Sequence, residues 1–192
     1  TAMPDVPKYP LIFTKATTSV IGPDDFIDPH KNVTNAVDYE GELAVIIGKE
    51  GSDIPVSEAM DYVYGFTILN DVTARDLQAN HVQWFHGKSL DTFCPMGPYV
   101  LLRDAAPDTF DVVTKVNGEV RQDASTGEFI FTIPQLIQTI SQGTTLLPGD
   151  VIATGTPSGV GVGFNPPKYI HSGDVVEISI SGIGTLKNTV KK

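Results

Sequence analysis

The chain has 192 residues, enough for one domain with a sizeable core or for two small ones. Its 13 basic residues against 23 acidic ones leave a net charge of −10, which argues against a general nucleic-acid binder, since that role needs a basic face. The single cysteine excludes an internal disulfide framework and suits a reducing, cytoplasmic setting, and no run of about eighteen apolar residues offers a membrane-crossing helix.

In chain order, residues 1–10 are rich in proline and charge and read as an incoming linker. Residues 11–15 read as a short strand ending in Lys15, and the β-type residues at 17–21 run to a turn at Gly22-Pro23-Asp24-Asp25. Residues 29–35 form a polar loop that holds His30 in solvent. The stretch at 40–48 reads as a buried strand. Residues 55–63 suggest a short helix opened by Pro55 or Ser57, residues 64–71 a strand ending in Asn70 and Asp71, and residues 72–80 a second helix. Residues 94–98 read as a tight turn that leads into a strand at 99–102. Asn117-Gly118, set between 110–116 and 119–123, is the strongest hairpin signal in the chain. A helix is expected over 133–139, starting near Thr132 with Pro134 in its first turn. A turn at 146–150, a strand at 151–154, a Gly-rich loop at 155–163 and strands at 175–180 and 184–190 complete the reading. Many short strands and few helices predict a mainly β fold of sandwich or barrel type, in one domain over 1–192.

The chemistry centres on Glu40 and Glu42. Strand side chains alternate faces, so these two carboxylates project together with Gly41 on the opposite face. Adjacent like charges call for a cation, and hard oxygen ligands suit Mg²⁺ or Ca²⁺; the same pair at a strand's start also reads as a solvated face. Asp71, at a strand end, supplies a third carboxylate; it reads equally as the N-cap of the segment that follows. Arg75 can hold a substrate carboxylate, or pair at the surface with Asp76; Gln78, three residues on, lies on its side of the helix. Lys88 can stabilise developing oxyanion charge, or stand exposed in solvent as an isolated lysine does. The loop at 154–163 lacks the Gly-Lys-Ser/Thr ending of a phosphate loop, which excludes nucleotide binding there; its Thr156 hydroxyl and backbone N–H groups can face a carboxylate. His81 and His86 flank Trp84 without metalloprotease spacing and read as structural or rim residues. Cys94 reads as a buried structural thiol.

Five blocks together resemble the fumarylacetoacetate hydrolase superfamily, in its order: Asp-Tyr-Glu-Gly-Glu-Leu-Ala-Val-Ile-Ile-Gly at 38–48, Asn-Asp-Val-Thr-Ala-Arg-Asp-Leu-Gln at 70–78, Gly-Lys-Ser-Leu-Asp-Thr-Phe-Cys-Pro-Met-Gly-Pro at 87–98, Gly-Asp-Val-Ile-Ala-Thr-Gly-Thr-Pro-Ser-Gly-Val-Gly at 149–161 and Gly-Ile-Gly-Thr-Leu-Lys-Asn-Thr-Val at 182–190. The resemblance implies a mixed β-sandwich roll, a homodimer, and Mg²⁺ (or Mn²⁺ or Ca²⁺) on Glu40, Glu42 and Asp71. It implies a substrate pocket lined by Lys15, Arg75, Gln78, Lys88 and Thr156, with no nucleic-acid or membrane partner. The implied activity is metal-dependent hydrolysis or lysis of a carbon–carbon bond in a small β-diketo or 2-oxo acid of the acylpyruvate, fumarylpyruvate or oxaloacetate type, Lys88 stabilising the enolate. The alternatives are an isomerase of the 2-hydroxyhepta-2,4-diene-1,7-dioate or hydroxymuconate type, and a non-catalytic relative. Cleaving members of the family typically carry a His-x-x-Glu pair upstream of the segment matching residues 7–10. No histidine precedes His30 here, so a lid segment upstream of Thr1 is expected, and these residues do not assign the general base.

Overall fold

Strand β4, Gly41–Ile47, is buried along almost its whole length, as its Leu-Ala-Val-Ile-Ile run requires of a strand covered on both faces. It is one of twelve strands and three short helices in the computed structural model, which describes residues 7–192. The others are β1 (Val20–Ile21), β2 (Phe26–Ile27), β3 (Val37–Asp38), β5 (Val63–Asn70), β6 (Thr73–Ala74), β7 (Cys94–Leu102), β8 (Asp111–Val116), β9 (Glu119–Ser125), β10 (Val151–Ala153), β11 (Val175–Ile180) and β12 (Gly184–Val190). The helices are α1 (Arg75–Asn80), α2 (Phe85–Lys88) and α3 (Ile133–Ser141).

One five-stranded sheet runs β1-β7-β5-β4-β10 and a second runs β2-β12-β11-β8-β9; β3 and β6 form a small two-stranded ladder beside them. Both large sheets are mixed: β1 lies parallel to β7, and β2 parallel to β12. Their inner faces share one apolar core, with Val45, Phe66 and Ile68 from the first sheet against Val112, Ile178 and Leu186 from the second. The Phe66 and Phe110 rings stand 5.2 Å apart across it. This is the mainly β sandwich roll expected from the sequence.

The hairpin through Asn117-Gly118 forms with φ of +52° and +81°, the left-handed pair that a two-residue turn between twisted strands demands. Helix α3 opens on a reciprocal cap, Thr132 accepting from the Gln135 amide while the Gln135 side chain accepts from the Thr132 amide.

Five expectations need correction. Residues 11–15 are not a strand; they follow an irregular path and form no ladder. Of 55–63, only Ala59–Tyr62 coils, as a 3-10 turn. The helix expected over 72–80 starts at Arg75, because Thr73 and Ala74 pair with Asp38 and Val37 instead. Residues 94–98 are not a turn but the start of β7, with Gly97 at φ +134° absorbing the irregularity in its ladder with β5. His30 is half-buried against Phe93, with their rings 5.5 Å apart. Residues 1–6 of the linker lie outside the described residues.

Candidate active site

The site is built where β4 begins and β5 ends. The two strands are antiparallel and Gly41 faces Asn70 across the ladder. The Asp71 amide donates to the Glu40 carbonyl (2.9 Å) and the Glu40 amide to Asn70 Oδ1 (3.0 Å). This stitching brings residue 71 beside residues 40 and 42. Gly41 points the other way, into the second sheet, as strand alternation predicts. A Cβ there would meet Thr114 Oγ1 at 2.2 Å, so the close approach of the sheets admits only glycine between the two glutamates.

Carboxylate oxygens of Glu40, Glu42 and Asp71, all buried, lie within 4.8 Å of one another. Three cations face them. Lys88 Nζ donates to Glu40 Oε2 at 2.7 Å and to Asp71 Oδ2 at 2.6 Å. Lys15 Nζ donates to Asp71 Oδ1 at 2.6 Å and to the Lys88 carbonyl. Arg75 Nη1 reaches Glu40 Oε1 at 2.7 Å and Gln78 Oε1 at 3.1 Å. Glu42 receives a backbone amide, from Gly155 at 2.8 Å.

These neighbours set the protonation. Burial pushes the Glu42 carboxyl well above the usual carboxylate range, and the charges of Asp71 and Glu40 add to the effect. Burial acts the same way on Asp71, but the Lys88 and Lys15 ammonium groups outweigh it and hold that carboxyl below its ordinary value. Burial works against charge on Lys88 and Arg75; Glu40 outweighs it in both, helped by Asp71 and Glu42 at Lys88 and by Asp38 at Arg75, so both sit above their ordinary values.

The expected residues converge. Lys15, Arg75, Gln78, Lys88 and Thr156 come to the three acids from four separate segments, Arg75 and Gln78 sharing α1, and all but Lys15 line a cavity of about 1030 Å³ together with Glu40 and Glu42. Arg75 does not pair with Asp76, which is taken up by the Thr34 hydroxyl (2.6 Å) and the Asn35 amide (3.1 Å). Asp71 does not cap α1; its carboxylate goes to the two lysines. Arg75 Nη2 is buried with no partner among the described residues, an unspent donor on a side chain that lines the cavity. His81 and His86 stack edge to face, 5.2 Å apart, outside that cavity's lining. Cys94 is buried, as expected.

The donor set fits a hard divalent cation: three carboxylates close enough to share one ion, in a site with no soft ligand among its described residues. Each oxygen of Glu40 and Asp71 accepts one hydrogen bond or ion pair and retains a second lone pair for a metal.

Two residues at the site escape sequence reasoning. Asp38, fully buried, accepts from the amides of Tyr39 (2.9 Å), Gly161 (2.7 Å) and Val162 (2.9 Å) and from Arg75 Nε (2.8 Å), tying the Gly-rich loop to the guanidinium. Gln122 accepts from the Gly41 amide (3.0 Å) and donates to Thr156 Oγ1 (2.8 Å) and the Pro157 carbonyl (2.9 Å). Its signal was present: Thr114 and Gln122 are paired polar residues on the otherwise apolar inward face of the hairpin.

A model of the fumarylacetoacetate (FAA) hydrolase C-terminal family matches residues 1–191. Oxaloacetate tautomerase YisK of Bacillus subtilis (strain 168) is 54% identical over 188 residues, 97% of this chain and 62% of that protein. The chain thus spans about three fifths of that curated relative. Among solved structures, fumarylacetoacetate hydrolase from Exiguobacterium antarcticum superposes with a TM-score of 0.92 at 52% identity, over 94% of this chain and 66% of that one. A 5-carboxymethyl-2-hydroxymuconate delta-isomerase from Mycobacterium smegmatis gives 0.88 at 44% identity, over 96% of this chain and 70% of that one.

Proposed function

The chain belongs to the fumarylacetoacetate hydrolase family, and we propose that it forms the catalytic centre of a divalent-metal-dependent enzyme acting on a small, enolisable 2-oxo acid of the oxaloacetate or acylpyruvate type. The observation that carries this reading is the buried acid triad facing three cations, with an unspent Arg75 donor beside it. Glu40, Glu42 and Asp71 would hold Mg²⁺ or Mn²⁺, which when bound supplies Lewis acidity for a carbonyl or enolate oxygen. Arg75 Nη2 and the Gln78 amide hold the substrate carboxylate. Lys88 Nζ donates to two carboxylates, so it stands in the wall as an ammonium and lends positive charge to an enolate. Lys15 fixes Asp71.

Two outcomes of enolate chemistry are open to such a site. Moving a proton between carbon and oxygen is the lesser demand, and the names of the tautomerase and isomerase relatives support it. Breaking a carbon–carbon bond by hydrolysis also needs an activated water, and a His-x-x-Glu lid upstream would supply its base. A homodimer is part of the same reading.

The test is an assay of the protein with Mg²⁺ and then EDTA on oxaloacetate, acetylpyruvate and fumarylpyruvate, following the enol absorbance and identifying products. Metal-dependent loss of the enol signal with an unshortened acid marks a tautomerase. CO₂ or a shorter acid marks cleavage. Turnover that is unaffected by EDTA and by Glu40→Ala and Asp71→Ala refutes the proposal.

A further inference from the structure

Thr156 stands in the cavity wall, and its hydroxyl has two partners on the protein side. Gln122 Nε2 donates to Oγ1 at 2.8 Å, and Oγ1 lies 3.1 Å from the Gly41 carbonyl oxygen. A carbonyl oxygen only accepts, so the single hydroxyl proton goes to Gly41. That conclusion requires the Gln122 amide to be the right way round, and amide orientation follows from the neighbours. Two of them are backbone groups of fixed sign. The Gly41 N–H must meet an oxygen, at 3.0 Å, and the Pro157 carbonyl must meet an N–H, at 2.9 Å. Turning the amide over would set donor against donor at Gly41 and acceptor against acceptor at Pro157. Gln122 is 1% exposed, so water cannot relieve that mismatch.

The consequence is chemical. A hydroxyl has one proton and two lone pairs. The proton is held by Gly41 and one lone pair by Gln122, which leaves a single lone pair for a ligand. We infer that Gln122 fixes Thr156 as a hydrogen-bond acceptor in the pocket, so that Thr156 selects a ligand offering an O–H, such as the enol form of a 2-oxo acid or a 2-hydroxy acid, and gives its hydroxyl proton to no carboxylate. This inference rests on the oxo-acid reading of the site. It divides the labour in the wall: Arg75 and Lys88 take anionic oxygens, and Thr156 reads a protonated one. Gln122 is a positioning residue that reaches the ligand only through Thr156, and by the same amide it holds Gly41 between Glu40 and Glu42.

Neutron diffraction from the deuterium-exchanged protein, with no ligand added, reads the polarity directly. The Thr156 deuteron is expected on the Gly41 side, with the two Gln122 Nε2 deuterons toward Thr156 and Pro157. A Thr156 deuteron directed into the cavity overturns the inference. Calorimetry in Mg²⁺ with malate and with its O-methyl ether reads the selection. Wild type is expected to prefer malate about tenfold, the worth of one hydrogen bond left unmade. Thr156→Ser keeps that preference. Thr156→Val and Gln122→Met, which remove the acceptor or free the hydroxyl to turn, reduce it to about twofold on the same reasoning. Equal binding by wild type overturns the selection, and so does a preference that survives Thr156→Val, because it would be steric. Failure of both ligands to bind wild type refutes the oxo-acid reading and the selection with it, and the neutron map still decides the polarity.

Discussion

Gly41→Ala tests whether the contact between the sheets holds the acid pair in place. The new Cβ would meet Thr114 Oγ1 at 2.2 Å, Gln122 Oε1 at 3.2 Å and Ile178 Cγ2 at 3.2 Å. The first contact is far inside any normal approach. Thr114 cannot swing away cheaply, because a β-branched side chain in a paired strand is stiff at χ1. Overpacking of this kind costs about 1–3 kcal/mol, against about 0.5–1 kcal/mol gained by replacing glycine with alanine in a strand. The upper end applies here, and the expected net loss is about 2 kcal/mol, or roughly 4–8 °C in Tm for a domain of this size. Thr114→Ala removes the opposing oxygen, which is itself buried without a partner among the described residues, so it should cost little alone. In the double variant most of the Gly41→Ala loss should return, as a coupling of about 1.5 kcal/mol in a double-mutant cycle from urea denaturation. A Gly41→Ala protein within about 0.5 kcal/mol of wild type, or strict additivity with Thr114→Ala, would refute the reasoning.

Three other predictions follow from the same geometry. Glu42→Gln removes the carboxylate that has no side-chain cation among the described residues, so it should raise the Tm of metal-free protein while abolishing the stabilisation by Mg²⁺, which for wild type at a hundredfold excess over Kd is about 2.7 kcal/mol; scanning calorimetry with and without EDTA reads both signs, and a variant that still gains from Mg²⁺ refutes the ligand assignment. Asp38→Ala strands Arg75 Nε and the Gly161 and Val162 amides in the interior, and should cost about 3–5 kcal/mol in urea denaturation; a loss below about 1 kcal/mol would show that the loop and the guanidinium stand without it. Burial pushes the Cys94 thiol from 9.0 up to about 11, so the unfolded chain ionises first and stability falls as pH rises between those values; native protein should resist a thiol reagent at pH 8 and react only on denaturation, and rapid native labelling would contradict the burial.

What the sequence disclosed follows from how local each signal is. The Asn117-Gly118 hairpin and the capped start of α3 are decided within a few residues, and both formed as read. Glu40 and Glu42 were legible because strand periodicity needs no partner. The errors fall where tertiary partners decide: residues 11–15 have strand propensity but no ladder, and Thr73 and Ala74 give up helix to pair with β3. Asp38 was overlooked because its partners lie across the fold, more than 120 residues away at Gly161 and Val162. Gln122 reaches Gly41 across 81 residues, and only the polar pair it forms with Thr114 on an apolar face hinted at it.

The charge balance of the site links its burial to its chemistry. Asp38, Glu40, Glu42 and Asp71 face Lys15, Lys88 and Arg75, which leaves one carboxylate in excess in a place where an unpaired charge is costly. The cations are spent on Asp38, Glu40 and Asp71, so the excess falls on Glu42, whose carboxyl burial already drives toward the neutral form. Buried chains do not ordinarily gather seven charged groups to leave one unmatched. Under the proposed function the mismatch is resolved by a divalent ion, which would keep Glu42 ionised and turn the formal charge of the cluster from negative to positive. The same wall would then attract a carboxylate to the free Arg75 donor and support an enolate near Lys88. A site balanced to neutrality without metal would have weaker demand for the cation and, once loaded, a stronger hold on anionic product. One uncompensated glutamate is the smallest excess that makes both the ion and the anionic substrate favourable in turn.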